Sequence, residues 1–337
     1  MVVEHGSYRL AFLDGLFHSP PFGIQRRSDS APIFYFYRLA SRGIRDELSD
    51  QETIEPLRSA AMLHSIIIPH RNRASRLRLC VGSILRSACA SLTCYDFEII
   101  VSDQHSSVSE SDDLQTMLPI IRLVRDSMPL PNAEAPAIFN KGRAINRGIE
   151  AAHGDVLTFL DCDAIVGERF MAGAQWLVDH PDITRLCYRV RYLPPDVLDI
   201  PVSEWATRCQ EFFRRYDEYP VGYEAYGAPE IRATGCWDEN LAFGNSQFSI
   251  RPDVLGDLRC DEAFLGAGFE DLDFIMSIWQ KVGRNYKGVI RTEGDESMFH
   301  IRNIRADEKG WGEAIFNQWN KARYYRKWPI GKECPVT

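Results

Sequence analysis

The sequence predicts an α/β protein with a doubly wound, mostly parallel β-sheet. Short apolar segments alternate with segments of helical spacing along the middle of the chain, which is typical of βαβ units. The predicted strands are residues 64–69, 97–103, 119–124 and 156–160. Three of them lead to the groups at residues 69–73, 103 and 161–163, which are rich in charged side chains. Because ligands bind at the carboxyl ends of parallel strands, these residues are predicted to meet at one functional edge.

Local patterns identify the first strands and the helix between them. Residues 64–69 are rich in isoleucine and end at Pro69, which cannot donate a hydrogen bond to a sheet. Residues 97–103 close on Asp103. Residues 74–90 are predicted to be helical, because their apolar side chains recur three and four positions apart.

The remaining elements are predicted in the same way. Residues 139–152 form a basic helix that leads into the strand at 156–160. Further helices are expected at 167–179, 205–216 and 266–282, and further strands at 33–37, 183–193, 240–250 and 298–300. The expected divisions are an N-terminal extension (1–62), a main domain (63–305) and a C-terminal helical segment (306–337).

Length, charge and cysteine content narrow the class of protein. The chain has 337 residues, enough for one large or two small domains. Its net charge of −8 argues against a nucleic-acid groove, which normally carries a basic excess. The nine cysteines are an odd number and include no Cys-x-x-Cys pair. This favours free thiols in a reducing compartment over a disulfide framework or a zinc site.

Membrane and export signals are not expected from this sequence. No apolar run approaches the roughly 20 residues that span a bilayer, and the N-terminus has no basic segment leading into an apolar one. We therefore expect a cytoplasmic protein without a transmembrane segment. Peripheral contact with a membrane stays open.

The candidate metal site begins with an acidic pair, Asp161 and Asp163, after the strand at 156–160. Side chains at positions i and i+2 of an extended chain point to the same side. Hard cations such as Mn²⁺ and Mg²⁺ take oxygen ligands, so the pair could hold one. One Asp-x-Asp arises by chance about once in a chain this long. The prediction therefore depends on the position of the pair at the sheet edge, beside Asp103.

Three further groups are expected near this edge. Lys141 would neutralise phosphate, with a solvated helix face as the alternative reading. Residues 266–273 combine two glycines with three acids at a helix start. First-turn acids are favoured by the helix dipole, but this cluster exceeds what a helix start needs and favours a general base. His300 ends a short strand, where a single histidine is more often structural than a ligand.

Together these motifs resemble those of the GT-A glycosyltransferases, which have a Rossmann-like, doubly wound sheet. The matching motifs follow the family's order: Ile-Ile-Ile-Pro-His-Arg-Asn-Arg at 66–73, Phe-Asn-Lys-Gly-Arg at 139–143, Asp-Cys-Asp at 161–163, Gly-Phe-Glu-Asp-Leu-Asp at 268–273, and His300. The likeness is to the β-1,4-galactosyltransferase family and to bacterial family-2 enzymes such as chondroitin polymerase. It covers about residues 63–305.

The resemblance implies an inverting hexosyltransferase with a UDP-sugar donor, a hydroxyl acceptor and a divalent metal, usually Mn²⁺. The residues implied to hold the nucleotide-sugar are Pro69, His70, Arg71, Arg73, Phe139, Lys141 and Asp161, and Asp103 lies at the same predicted edge. Asp163 and His300 would bind the metal, with Met298 left open as a further ligand and Asp161 approaching the metal or the ribose. Asp271 would be the general base, and Glu270 would orient the acceptor.

The chain departs from the family pattern at two positions. The tryptophan of the family's Trp-Gly-Gly-Glu-Asp motif falls on Ala267, and His70 stands where the family has an aromatic residue beside the nucleotide. Because that tryptophan helps to close the site over donor and acceptor, the resemblance does not extend to the identity of the acceptor.

Other classes of protein share parts of this pattern. A sugar nucleotidyltransferase would carry a glycine-rich loop after the first strand, and a dinucleotide oxidoreductase would carry Gly-x-Gly-x-x-Gly there. Residues 69–73 show neither. A protein that binds a nucleotide-sugar or glycan without turnover stays open, although it would be expected to lack the acid at 163 or 271.

Overall fold

The computed structural model describes residues 23–25, 33–35, 62–90, 95–126, 138–219, 247–266, 268–291, 297–301 and 312–328. The strands are β1 (Gly23–Gln25), β2 (Ile33–Tyr35), β3 (Leu63–His70), β4 (Asp96–Asp103), β5 (Arg122–Arg125), β6 (Val156–Phe159), β7 (Ala164–Val166), β8 (Arg185–Tyr188), β9 (Val190–Leu193), β10 (Phe248–Ile250), β11 (Gly288–Arg291) and β12 (Met298–Ile301). The helices are α1 (Ala74–Ala90), α2 (Val108–Met117), α3 (Lys141–Ala151), α4 (Ala172–Asp179), α5 (Val202–Arg214), α6 (Pro252–Leu255), α7 (Glu270–Val282) and α8 (Gly312–Lys327).

The main sheet contains nine strands within the described residues. Their order is β1-β2-β4-β3-β6-β10-β8-β11, with β5 also paired to β4. Strands β5, β4, β3 and β6 run parallel, as does the β8–β11 pair, whereas β1, β2 and β10 are antiparallel to their neighbours. The predicted α/β fold with a mostly parallel central sheet is confirmed.

Helices pack on both faces of the main sheet, which is why β3 is apolar on both sides. Ile66 and Ile68 lie in a buried cluster with side chains of α1, α2 and α4. Ile67, which points to the opposite face, lies in a second cluster with side chains of α3, α7 and α8. All three isoleucines are fully buried. This two-sided burial defines a doubly wound arrangement.

A second, smaller sheet contains the strand that carries His300. It consists of β7, β12 and β9, with β12 antiparallel to β7 and parallel to β9. Its apolar face packs on α5 in a third cluster, which includes Ile165, Phe299 and Trp205. His300 alternates with Phe299 along β12 and therefore faces the other side of this sheet.

The single strand predicted at 183–193 is wrong, because the structure contains two strands there. Strand β8 pairs with β10 and β11 in the main sheet, and β9 pairs with β12 in the smaller one. The chain changes sheets at Arg189, whose carbonyl accepts a hydrogen bond from the Met298 N–H at 3.0 Å. No glycine or proline marks this position, so the local sequence contains no signal for the break.

Several predicted boundaries move by a few residues. The helix predicted at 167–179 begins at Ala172, because the preceding residues form turns such as that between Gly167 and Phe170. The strand predicted at 119–124 spans Arg122–Arg125. Of the predicted strands at 33–37 and 240–250, residues 36–37 and 240–246 lie outside the described residues.

Most of the expected N-terminal extension also lies outside the described residues. Its two described strands form an antiparallel pair, and Phe34 of β2 pairs with Phe97 of β4. The main sheet therefore receives two strands from residues before 62. Among the described helices, none combines the length and apolar character needed to cross a bilayer.

The turn before β6 generates a stability prediction. A Cβ on Gly154 would lie 2.6 Å from the Ser65 nitrogen and 2.8 Å from the Leu63 carbonyl oxygen, both backbone atoms of β3. Since backbone cannot yield as a flexible side chain does, Gly154→Ala should lower the free energy of unfolding by about 1–3 kcal/mol.

Urea denaturation measures this change, with Gly82→Ala in α1 as the matched control. A Cβ on Gly82 meets nothing within 4 Å. Alanine favours a helix interior, so the control should be stabilised by about 0.5–1 kcal/mol. Equal effects of the two substitutions would contradict the packing described for Gly154.

Candidate functional site

Two carboxylates and one imidazole converge where the two sheets meet. Asp161 and Asp163 lie between β6 and β7, and His300 lies on β12 opposite Ala164 of β7. The Asp163 carbonyl also accepts a hydrogen bond from the Ile301 N–H at 3.0 Å, which fixes β12 against the acidic pair. One ligand atom from each of the three residues lies within 4.8 Å of the others.

The donor set of this group fits a divalent cation. Carboxylate oxygens with one imidazole suit Mn²⁺, and the carboxylates alone suit Mg²⁺. Met298, two residues before His300, is fully buried in the first hydrophobic cluster.

Asp163 is buried beside one histidine and two arginines. His300 Nε2 lies 2.8 Å from its Oδ1, and Arg73 Nη1 lies 2.9 Å from its Oδ2. Arg76 Nη1 is 3.4 Å from the same Oδ2. Burial alone would raise the pKa of Asp163, but His300 and the two arginines hold that pKa well below its usual range. Asp163 is therefore ionised at neutral pH.

Arg76 is a site residue that was not predicted from the sequence. It lies one turn after Arg73 on α1 and is 7% exposed. Residues three apart share a helix face, so the spacing of two arginines would have indicated it. Gln247 was missed as well. Its Nε2 lies 3.4 Å from Asp161 Oδ2, and an isolated glutamine carries no sequence signal.

Lys141 connects the acidic pair to the start of α7. Its Nζ lies 2.8 Å from Asp161 Oδ1 and 3.3 Å from Asp271 Oδ2. Burial alone would lower the pKa of Lys141, but Asp161, Asp271 and Glu270 raise it above its ordinary value. The ammonium group is thus permanently charged, and it holds the two carboxylates on either side of it.

The start of α7 is shaped by left-handed backbone. Gly266 (φ 69°), Gly268 (φ 105°) and Phe269 (φ 70°) all have positive φ, which glycine adopts freely and phenylalanine rarely does. Asn320 of α8 stabilises this turn, since its Nδ2 donates to the carbonyls of Leu265 (2.8 Å) and Gly268 (2.9 Å). The two glycines predicted at this position therefore set the direction in which the acids enter the helix.

The three acids of this cluster have different surroundings. Asp271 remains 23% exposed beside Lys141. Asp273 is buried, and it accepts hydrogen bonds from Trp328 Nε1 (2.9 Å) and Lys327 Nζ at the end of α8. Asp273 therefore joins α7 to α8, whereas Asp271 faces Lys141 and the acidic pair.

Glu270 is buried next to Asp271 and lacks a hydrogen-bond partner for its Oε2 within the described part of the chain. Burial, with the charge of Asp271 adding to it, raises its pKa to about 8, although Lys141 opposes the shift. Glu270 is therefore mainly protonated at neutral pH. The two acids line a small cavity with Gly142, Ile145, Phe159, Phe248, Cys260 and Phe274.

The end of β3 and the loop after it contain the first group of predicted nucleotide-binding residues. Pro69 pairs with Ser102 across β3 and β4. Arg71 is partly exposed, and partial burial lowers the pKa of its guanidinium, a shift that the charge of Asp103 opposes. His70 is fully buried, and its Nδ1 lies 2.9 Å from Asp103 Oδ1. Its Nε2 accepts a hydrogen bond from the Arg73 N–H at 3.3 Å. His70 and Asp103 therefore fix the loop from which Arg73 reaches Asp163.

Phe139 lies at the other end of the same edge. It is partly exposed, and its carbonyl accepts a hydrogen bond from the Gly266 N–H at 2.8 Å. Contacts thus connect Arg73, Lys141, Asp161, Asp163, Asp271 and His300 in one network. His70 adjoins this network by accepting a hydrogen bond from the Arg73 N–H, and Asp103 adjoins it through its side-chain contact with His70. Phe139 bonds to Gly266, at the turn before Asp271.

Comparison with known proteins gives one family match. Residues 65–172 match the family model described as glycosyl transferase family 2, which is about a third of the chain. The matched segment runs from β3 to the first residue of α4, and it includes Asp161 and Asp163. No curated protein matches the chain. The family match supports a glycosyltransferase with the GT-A arrangement.

Solved structures show weaker likenesses. Glucosyl-3-phosphoglycerate synthase from Mycobacterium tuberculosis, in complex with Mn²⁺, UDP and glucosyl-3-phosphoglycerate, is 20% identical with a TM-score of 0.47, over 81% of this chain and 82% of that one. S. aureus TarS 1-349 is 16% identical with a TM-score of 0.45, over 71% of this chain. This chain spans 60% of that fragment and 43% of S. aureus TarS in a second structure.

The raised pKa of Glu270 predicts a pH-dependent stability. The folded protein holds this proton more tightly than the unfolded chain does, so ionising Glu270 destabilises the fold. The stabilisation is complete below pH 4.5, the ordinary value, and is lost as pH rises towards about 8. Relative to Glu270→Gln, wild-type stability should fall by up to about 1.4 kcal/mol per pH unit in this window.

Urea denaturation of both proteins at pH 5, 6, 7 and 8 measures the difference. Comparing the two proteins at each pH cancels the contribution of every other titrating group that the substitution leaves unchanged. A difference that stays constant from pH 5 to pH 8 would show that Glu270 titrates in its ordinary range.

Proposed function

We propose that this protein is an inverting, metal-dependent glycosyltransferase that moves a hexose or N-acetylhexosamine from a UDP-sugar to a hydroxyl acceptor. The observation that carries the proposal is the connection between the two halves of the site. Asp161 and Asp163, with His300, form one half, and Lys141 joins them to Asp271 in the other. The family-2 match of residues 65–172 supports the same class of reaction.

Asp163, His300 and Asp161 are the residues proposed to hold the cation. A bound Mn²⁺ or Mg²⁺ would offset the negative charge that develops on the departing diphosphate. Arg73, Arg76 and Lys141 place three further positive charges around the same carboxylates. Positive groups held in place before the reaction stabilise such charge without reorganisation.

The nucleotide is proposed to lie along the sheet edge at the β3 and β4 ends. Arg71 is partly exposed there, next to Asp103. Pro69, His70 and Phe139 shape the walls of this edge. Because His70 is fully buried, its part is to fix the loop that carries Arg71 and Arg73.

Asp271 is proposed as the general base. The acceptor hydroxyl attacks the anomeric carbon, its proton passes to the Asp271 carboxylate, and the bond from that carbon to the phosphate oxygen breaks to release UDP. Attack opposite the leaving group inverts the anomeric centre. Glu270 would orient the acceptor as a neutral acid that can donate a hydrogen bond.

The state of Glu270 also supports inversion over double displacement. Retention by double displacement needs an ionised carboxylate as nucleophile, in addition to the acid and base. Glu270 is buried, and its pKa is raised to about 8, so it is mainly protonated at neutral pH. Glu270 is therefore poorly suited to act as that nucleophile.

The base assignment predicts the effect of Asp271→Asn. The amide cannot accept the proton of the acceptor hydroxyl, so kcat should fall at least about a hundredfold. UDP binding, measured by calorimetry with Mn²⁺, should stay within a few-fold of wild type. Asp253→Asn, a change at an exposed acid paired with Arg251, is the control. Wild-type kcat in the Asp271→Asn variant would exclude Asp271 as the base.

The metal assignment predicts the effect of Asp163→Ala. Wild type is expected to release UDP from one or more UDP-sugars in a screen with Mn²⁺, and to bind UDP only when the metal is present. Asp163→Ala should lose the metal-dependent binding. Since this change leaves Arg76 buried beside a missing charge, Asp163→Asn tests the same point with less disturbance, and thermal melting reports whether each variant folds. Unchanged metal-dependent binding in a folded variant would remove the assignment.

A further inference from the structure

A cleft separates α8 from the segment that precedes α7. Its volume is about 230 Å³, and it is lined by Ala263, Leu265, Trp319, Asn320, Arg323 and Arg326. Trp319, Arg323 and Arg326 are spaced four and three residues apart, so they lie on one face of α8. The cleft is separate from the small cavity beside Glu270 and Asp271.

Trp319 presents an aromatic ring at this cleft. It is 64% exposed, and it is the one aromatic among the large apolar side chains exposed in the described parts of the chain. Tryptophan is enriched at binding interfaces, because it combines a large apolar ring with a polar N–H group. The apolar C–H face of a sugar ring is a natural partner for it.

Positive charge accompanies the ring. Arg323 is held in position by a bidentate pair with Asp261, with distances of 3.1 and 2.9 Å to the two carboxylate oxygens. Arg326 is exposed, and its only hydrogen bond among the described residues is to the Ala322 carbonyl of its own helix, at 3.3 Å. No carboxylate of the described residues lies within ion-pair distance of Arg326.

The charge of α8 differs from that of the whole chain. The helix contains four basic residues and one acidic residue, while the chain has a net charge of −8. Lys327 and Arg323 are paired with Asp273 and Asp261. Among the described residues, the cleft therefore offers one guanidinium without a carboxylate partner, that of Arg326, within an acidic protein. This favours an anionic ligand.

The cleft borders the turn that leads into α7 and to Asp271, the proposed general base. Asn320, one of its lining residues, donates hydrogen bonds to the Leu265 and Gly268 carbonyls, directly before Glu270 and Asp271. The ring of Phe269 packs against that of Tyr324, with centroids 5.5 Å apart. A ligand in the cleft would thus be held by residues fixed to the acceptor side of the site.

We propose that this cleft is a subsite for an acidic saccharide acceptor, in which Trp319 stacks on a sugar ring and Arg326, with Arg323, binds a carboxylate or phosphate group. This inference rests on the proposed function for its role in transfer, but the binding itself does not require turnover. A concave site with one guanidinium fixed by Asp261 suits a small, defined anion better than the flat surface of a lipid bilayer.

Direct binding tests the proposal. The probes are three oligosaccharides of equal length that end in a uronic acid, a sugar phosphate or a neutral hexose, titrated by calorimetry into the full chain. At least one acidic probe should bind about tenfold or more tightly than the neutral one, with an advantage that shrinks as salt is added. The two acidic probes distinguish carboxylate from phosphate as the recognised group.

Variants locate the effect. Arg326→Gln should remove most of the preference for the acidic probe, and Trp319→Leu should weaken all three probes. Arg208→Gln, a change at an exposed arginine of α5 paired with Glu211, is the matched control and should bind as wild type. If Arg326→Gln keeps the preference, or wild type binds the three probes equally, the subsite is excluded.

Two further measurements separate this proposal from others. Binding to vesicles with and without anionic lipid tests whether the cleft instead contacts a bilayer. If Arg326→Gln abolishes vesicle binding but leaves saccharide binding unchanged, the proposal is overturned in favour of a lipid surface. UDP release from UDP-sugars tests the proposed function by itself. If wild type releases UDP but shows no preference for the acidic probes, the proposed function stands and the subsite is excluded. If wild type prefers an acidic probe but releases no UDP from any UDP-sugar, the subsite stands and the proposed function does not.

Discussion

The ionised carboxylate of Asp163 is the group on which the arrangement depends. A charge taken out of water is costly unless nearby groups compensate it. Compensation comes from Arg73 directly before α1, from Arg76 on that helix, which packs on the main sheet, and from His300 on β12, a strand of the smaller sheet. One buried charge therefore couples the two sheets, and displacing either of them would leave that charge without part of its compensation.

The other half of the site places more carboxyl groups than positive groups close together. Asp161 and Asp271 share one ammonium group, that of Lys141. A third ionised carboxylate at Glu270 would leave an excess of negative charge in a buried place, and the raised pKa of Glu270 prevents this. Burial acts to raise the pKa of both Asp163 and Glu270, but the net shifts are opposite. Asp163 lies beside two arginines and His300, whereas Glu270 has only a share of Lys141.

The sequence specified the sheet and the residues of the site better than it specified their contacts. Strand β3, helix α1 and the acidic pair follow from local apolar spacing and from the convergence of strand ends in a parallel sheet. The change of sheet at Arg189 depends on pairing with distant strands, and no local residue type signals it. Gln247 and Asp273 show the same limit, because their roles depend on which distant side chains they meet.

The register of β12 limits which insertions and deletions the strand can accept without moving His300. His300 reaches Asp163 because β12 is aligned with β7 and β9 residue by residue, with His300 opposite Ala164 and Tyr192. Side chains alternate along a strand, so an offset of one position would present Phe299 or Ile301 to the acids and move the imidazole into the apolar layer. Gain or loss of a single residue within β12 would therefore erase the imidazole's contribution while every amino acid of the site remained encoded.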